Sequence, residues 1–526
     1  MEKIRNLASR FAISRYADVG PISGQYSAGS SGFAGIQALI EKKHFAIDLP
    51  SLSNEEKKEL PDIEQILPLF RRQGEAPKSR VSLLLPFFAQ HLTDAIFQSG
   101  NNFQTGAPSE IILNQIYSNS RAGLMCLRSG EKGKLKSREI HLNGKCMGEF
   151  PPSLFEKVGA SYQVKNEFKD LPYLAPQETI RGKTKLEELL ETYRGREEQA
   201  MAVGLFQGNM TLGNFALTVL LLREHNRLCD EIYDELKQAG KPTNDKIIFD
   251  IASSVNILTY MKIVVEDYIN AYAGIDIFRL DYKSFFYEKK RWCRATPIPY
   301  HFNTLYQLHS FIPNQFDALP DMKFDAFLAN NDKVVELGLG KVFEFASQQP
   351  ASKVELGNSF FENKFEMATR AMLTKARDIL APFSQYRALD GLSNDKKFEL
   401  FNPRFREQIR DIYGNKFENV DYTVGIYAEL PSSSGFVSAL EKMGFKNEYL
   451  VGRTLLHSIA KHAFRHIHSN PLMRKELLNP DVLSNVGWNT FTNTKTAKDL
   501  IIRNIPETNR DEANKLEISF HAPNFR

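Results

Sequence analysis

Apolar side chains return every three to four residues at Leu85, Phe88, Leu92 and Ile96 within VSLLLPFFAQHLTDAIFQS, residues 81–99, which predicts a helix with one buried face. The same period runs through residues 196–236. There Phe215, Val219, Leu222, Leu228 and Ile232 face a core and the charges gather toward the end. It recurs in DIASSVNILTYMKIVVEDYINAYAG, residues 250–274. A shorter basic segment, residues 1–16, puts Ile4, Leu7, Phe11 and Ile13 near one helical side among Lys3, Arg5, Arg10 and Arg15. Such a helix can lie on an anionic membrane surface, but it more often docks on its own domain. Between these elements the text is less regular. Residues 20–35 are Gly/Ser-rich loop, residues 100–195 are polar and broken by Gly and Pro, and the tail beyond residue 506 is polar and expected to be loose.

Length and composition narrow the classes. A chain of 526 residues can hold one large domain or three small ones with a sizeable core. Apolar content of 42% and charged content of 25% read as globular. A net charge of +4, with no basic run interleaved with aromatics, argues against nucleic acid. Cys126, Cys146, Cys229 and Cys293 lie far apart without a C-x-x-C pair, which favours a reducing compartment. With no signal-peptide pattern, and with the longest apolar run, FALTVLLL at 215–222, too short to cross a bilayer, a cytoplasmic or peripheral membrane location is expected.

The chemistry gathers in HFNTLYQLHSF, residues 301–311. If this stretch is helical, Tyr306 and His309 leave one face a turn apart. An imidazole can ligate iron, and a phenol beside it can lose an electron and a proton. By spacing alone the pair is ordinary, since Tyr and His are common in half-buried helices. Four histidines, His457, His462, His466 and His468, form a second group. With no acidic or thiol partner nearby in sequence they read as a solvated basic helix rather than a second metal site.

The phrases around these residues carry more. FNTLY-x-x-H resembles the proximal helix of the cyclooxygenase (prostaglandin-endoperoxide synthase) branch of the animal haem peroxidases, and FFAQHLTDAI resembles its distal helix. LLLREHNRLCDEI, VVEDY, MKFDAFLANNDKVVELGLGKVFEF, KARDILAPFSQYRALDGL, DIYGNKFENVDYTVGIYAE and VGWNTFTNTKTAKDLIIRNIP resemble further segments in the same order. The resemblance implies a mainly α-helical, single-domain peroxidase-like fold over residues 17–506. Residues 1–16 would be a remnant of the membrane-binding segment without the EGF-like module that precedes it, and residues 507–526 a polar tail. It implies one haem b per chain between the helix of Gln90 and that of His309, with His309 as iron ligand and Gln90 on the distal side. Tyr306 would be oxidised to a radical that takes hydrogen from an unsaturated fatty acid before O₂ adds. Tyr268 would hydrogen-bond that phenol and Arg15 would grip the carboxylate. A weak peripheral membrane contact and a homodimer are compatible with it. His225, in LLLREHNRLCDEI, is expected to be a network histidine rather than an iron ligand.

Three departures matter. Asp94 stands where the family has the histidine that cleaves peroxide, and His91 cannot replace it because adjacent helical residues point about 100° apart. A carboxyl can do that acid–base task only if burial raises its pKa well above about 3.9, so weak peroxidase activity is expected. Ile275 replaces a channel-mouth tyrosine and Leu308 a bulky tryptophan, which alters entry and pocket shape. Two other readings stay open: a haem peroxidase acting on small donors, and a haem-binding, membrane-peripheral protein without turnover.

Overall fold

The periodic segments fold as helices around a core shared by most of the chain, as seen in a computed structural model that describes residues 2–17, 49, 51–96, 111–180, 182–290, 292–293, 298–306, 309–316, 327–361, 365–431 and 450–525. The elements that position the site and its surroundings are α1 (Glu2–Ala17), α2 (Leu84–Ile96), α3 (Leu212–Gln238), α4 (Asp245–Ile263), α5 (Ile269–Ala273), α6 (Tyr300–Leu305), α7 (Glu366–Ile379), α8 (Arg453–Ser469) and α9 (Pro480–Asn493). Helix α3 is the axis. Every residue from Leu212 to Asn226 is buried, so its first four turns are enclosed on all sides rather than on one face. Helices α2, α4 and α9 pack around it. Gly213 makes the α2 contact close: an added Cβ would stand 2.3 Å from Phe87 Cγ.

Helix α4 runs through a π-helical turn, Val264–Tyr268, into α5, which stops at Gly274 with φ +66°. A π turn inserts one residue into the helical register and re-aims the side chains beyond it; such turns are frequent at functional sites. The combined segment Asp245–Ala273 is long and apolar enough to cross a membrane, but most of it is buried inside the protein.

Helix α1 docks on its own domain, against α8, with Ser9, Ala12, Ile13 and Ala17 buried. Leu7 and Phe11 are exposed, so they do not share a side with Ile13 as its sequence spacing suggests. Helix α8 corrects a second expectation. His462, His466 and His468 are buried rather than solvated, and His462 Nε2 lies 2.9 Å from His301 Nε2 of α6. The tail is not loose either. Ser82 N–H donates to Phe520 C=O and Ala522 N–H to Arg80 C=O, each at 2.8 Å, so the chain end lies along β1 (Lys78–Ser82). The Phe520 ring wedges against Phe88 and Tyr268, with centroids 5.3 and 5.9 Å away.

Sheet is confined to four two-stranded pairs among the described residues. Three are hairpins inside the polar region: β2 (Arg138–Leu142) with β3 (Lys145–Phe150), β4 (Phe155–Val158) with β5 (Ser161–Val164), and β6 (Thr179–Ile180) with β7 (Lys183–Thr184). The fourth joins β1 to β8 (Pro350–Ser352). The family-like phrases near residues 377 and 421 are structural: the Arg377 guanidinium donates to both oxygens of Asp421 at 3.0 and 2.6 Å, a bidentate pair tying α7 to the segment of Asp421. His225 is likewise a network residue, 2.9 Å from both the Tyr117 hydroxyl and the Gly133 carbonyl.

Candidate functional site

Helix α6 ends at Leu305, and His309 opens a separate 3-10 turn, His309–Phe311. The single helix expected across Tyr306 and His309 is therefore not formed. The two side chains nevertheless line one cavity, together with Gln90, Thr93 and Thr211 and the apolar Leu83, Phe87 and Phe327. The cavity holds about 220 Å³, or about 870 Å³ free of protein atoms when its open mouth is counted.

The His309 imidazole stacks on Phe365, centroids 4.4 Å apart and planes 12° from parallel. Burial pushes its pKa down to about 4, so the ring is neutral at physiological pH. Neither ring nitrogen has a hydrogen bond to a described residue. A neutral imidazole whose lone pair no described residue engages, in a mainly apolar cavity, is a donor that haem iron can use. The residues present fit that group. Phe365 caps α7 at φ +64°, a left-handed conformation costly for a bulky side chain and held by its surroundings. Arg72, buried and without a carboxylate partner among the described residues, anchors the segment after His309. Its guanidinium donates to Ile312 C=O at 2.7 Å and Asn358 C=O at 3.1 Å.

The distal side is fastened by the start of α3. Thr211 caps that helix by accepting Asn214 N–H at 3.3 Å, and its hydroxyl donates to Gln90 Oε1 at 3.1 Å. The Gln90 NH₂ group keeps its donors. Asn214 Nδ2 donates to Asp94 Oδ2 at 2.7 Å. Asp94 is buried and, unlike Gln90 and Thr93, does not line the cavity. Burial raises its carboxyl to about 7, only partly offset by the Asn214 amide. The condition set by the sequence, a carboxyl titrating near neutrality, is thus met, but at one remove from the cavity. His91 points elsewhere, with Nδ1 3.1 Å from the Tyr260 hydroxyl and the ring pushed down to about 3 by burial.

A raised carboxyl makes stability depend on pH. The folded protein keeps the Asp94 proton between pH 3.8 and about 7, while the unfolded chain releases it. That contribution, on the order of 4 kcal/mol, is complete at low pH and lost as pH rises to 7. Asp267, also raised to about 7 by burial, acts in the same direction. Melting temperature is expected to fall between pH 5 and pH 8, and Asp94→Asn to flatten that slope in calorimetry. An unchanged slope contradicts the assignment.

Tyr268, at the end of the π turn, is fully buried behind Tyr306. Burial raises the Tyr306 phenol above its usual value, and the Tyr268 hydroxyl pulls it part of the way back. The contact is loose, since Tyr268 Oη has no hydrogen bond of standard geometry among the described residues. The Tyr306 ring meets Phe302 edge-on at 5.3 Å. Ile275 is buried in the turn after α5 and does not line the cavity. Arg15 lies on α1, but its side chain and the whole of Leu308 fall outside the described residues. Sequence reasoning did not single out Thr211, Asn214, Arg72 or Phe365. Only Thr211 carried a signal, as a Thr opening a long apolar helical run.

A helical fold with a neutral histidine and a carboxamide lining one cavity has the groups that a haem-dependent oxidoreductase uses. The profile of the animal haem peroxidase family matches residues 109–445, and the chain belongs to that family. It is similar to prostaglandin G/H synthase 1 of Mus musculus, 24% identical over 460 residues that cover 85% of this chain and 67% of that protein. In structure it is similar to a variant of the Oryza sativa fatty acid alpha-dioxygenase with palmitic acid, at a TM-score of 0.63 and 14% identity over 96% of this chain and 90% of that one. Peroxidase A from Dictyostelium discoideum aligns at 0.60 with 16% identity, covering 89% and 92%. At these identities the two structures speak for the fold.

Proposed function

We propose that this protein is a haem-dependent fatty-acid dioxygenase in which Tyr306 is the hydrogen-abstracting residue. The observation that carries the reading is the shared cavity: Tyr306, His309 and Gln90 line one apolar space. Relatives named for prostaglandin synthesis and fatty-acid dioxygenation support the substrate class. His309 would hold the iron of one haem b and Gln90 would offer its NH₂ to the distal side. Haem, when bound, supplies the oxidising equivalent. Tyr306 gives up one electron and its phenolic proton. The resulting phenoxyl takes a hydrogen atom from a C–H bond of an unsaturated fatty acid and restores the O–H bond, and O₂ adds to the carbon radical. Tyr268, loosely in contact behind Tyr306, would orient the phenol. Arg15, on the docked helix α1, would pair with the carboxylate, because a guanidinium can bond both oxygens at once. The apolar lining keeps water from the radical.

Peroxide cleavage is the weaker half. Asp94 titrates in a useful range, but Asn214 holds its short side chain outside the cavity. Asp94→His lengthens the side chain on the face shared with Gln90 and is expected to raise oxidation of a small aromatic donor by at least about tenfold, within the range of positioned acid–base catalysis. Flat turnover in that variant overturns this role for position 94.

The reading is tested by oxygen uptake of the haem-loaded protein with a panel of fatty acids. Lipid-dependent uptake is expected. Donor oxidation with peroxide and no lipid-dependent uptake indicates a peroxidase instead.

A further inference from the structure

A second cavity lies away from the first, beneath α1. It measures about 450 Å³ and is lined by Arg5, Arg10, Lys262, Arg279, Lys283 and Lys495, with Glu266 and Asp281 the only lining carboxylates among the described residues. Asp276 adds a third negative charge through its contacts with Arg5 and Arg279, at 3.4 and 2.8 Å. Asp499, which accepts the Lys495 backbone N–H at 2.8 Å, adds a fourth, so six cations against four carboxylates leave a surplus of two positive charges in one cleft. The whole chain has a net charge of only +4.

The acids are already engaged. Asp281 accepts Arg10, Ser284 and the Phe286 N–H, and Glu266 accepts the Leu280 N–H at 3.0 Å. Lys262 is buried at 2% exposure and donates to the carbonyls of Phe491 and Thr492 at 3.0 and 2.7 Å, which leaves one of its three N–H bonds over. Lys283 and Lys495 are exposed at the rim, and neither has an ion pair among the described residues. Both press on Lys262, where burial and these like charges lower the ammonium pKa, against the pull of Glu266 and Asp499. An anion seated among Lys262, Lys283 and Lys495 offsets their mutual repulsion.

We propose that this cleft binds a phosphate monoester. The lysines meet the doubly charged oxyanion, and the volume, several times that of a bare oxyanion, takes the organic group. The phosphate can come from a soluble metabolite or from a phospholipid headgroup; both present the same chemistry to Lys262, Lys283 and Lys495. The site shares no residue with the haem cavity and does not depend on the reading of that cavity.

Two arms separate the sources. Calorimetric titration of the full chain with glycerol 3-phosphate tests the soluble one. Co-sedimentation with phosphatidylcholine vesicles, with and without phosphatidic acid, tests the lipid one. Binding in either arm, weakened roughly tenfold or more in Lys283→Glu/Lys495→Glu and unchanged in the remote exposed variant Lys246→Glu, is expected. No binding in both arms, or equal loss in Lys246→Glu, overturns the proposal. Both rim lysines are exposed, so the double variant is expected to keep its far-ultraviolet circular dichroism.

Discussion

Tyr306→Phe is expected to keep the haem absorption of the natural protein and to lose fatty-acid-dependent oxygen uptake by at least about a thousandfold, because the step then lacks its hydrogen acceptor. The substitution removes one oxygen atom. The ring would still meet Phe302 edge-on, and the packing that positions it does not need the hydroxyl. Tyr268 cannot take over cheaply. It is fully buried and does not line the cavity, so a substrate C–H bond has no path to its oxygen. Loss of uptake with an intact Soret band separates a chemical role from a structural one. Lipid-dependent uptake persisting in Tyr306→Phe means that another group abstracts hydrogen.

The second large effect belongs to His309. His309→Ala removes the neutral ring nitrogen of the cavity and the partner that Phe365 stacks on. Haem affinity, followed by Soret titration with haemin, is expected to fall by at least about a hundredfold, more than loss of a supporting contact to a metal ligand usually costs. Imidazole added to the variant should restore part of the absorption, since the space vacated is ring-sized and apolar. His462 and His466 serve as controls. They are buried histidines outside the cavity, and His462→Gln should leave the haem titration unchanged. A variant at His309 that binds haem normally would shift attention to another ligand.

The long helices were legible because their faces repeat with the helical period over many turns. Within the predicted stretches, α2 spans Leu84–Ile96 and α4 continues through the π turn to Ala273, while Val81 and Ser82 belong to β1 and residues 97–99 lie outside the described residues. Even there the reading fell short at α3. A helix buried on all sides carries no polar stripe to oppose the apolar one, so its first four turns read as amphipathic only through their charged end. The β2–β3 hairpin escaped because four of the five β2 residues are exposed and no alternation marks its faces. Its turn was nevertheless written in Asn143-Gly144, both at positive φ, the pair that a tight two-residue hairpin prefers. The tail misled because polar composition does not reveal Phe520, a single aromatic that fills the gap between Phe88 and Tyr268.

At the site, the residue types were legible and the backbone between them was not. The break after Leu305 shows no Pro or Gly, yet Tyr306 and His309 still share a cavity, because Arg72 and Phe365, distant in sequence, hold the segment after the break. Asp94 was recognised as a departure from the family pattern. Its displacement from the cavity depends on Asn214, a contact 120 residues away that no local pattern encodes.

One measurement bears most directly on the pairing of an iron-binding imidazole with an oxidisable phenol in one cavity. The haem-loaded protein is mixed with peroxide, frozen within seconds and examined by electron paramagnetic resonance, in the natural form and as Tyr306→Phe. A tyrosyl signal in the natural protein that vanishes or changes its hyperfine pattern in the variant is the predicted result. A signal identical in both, or none in either, contradicts it.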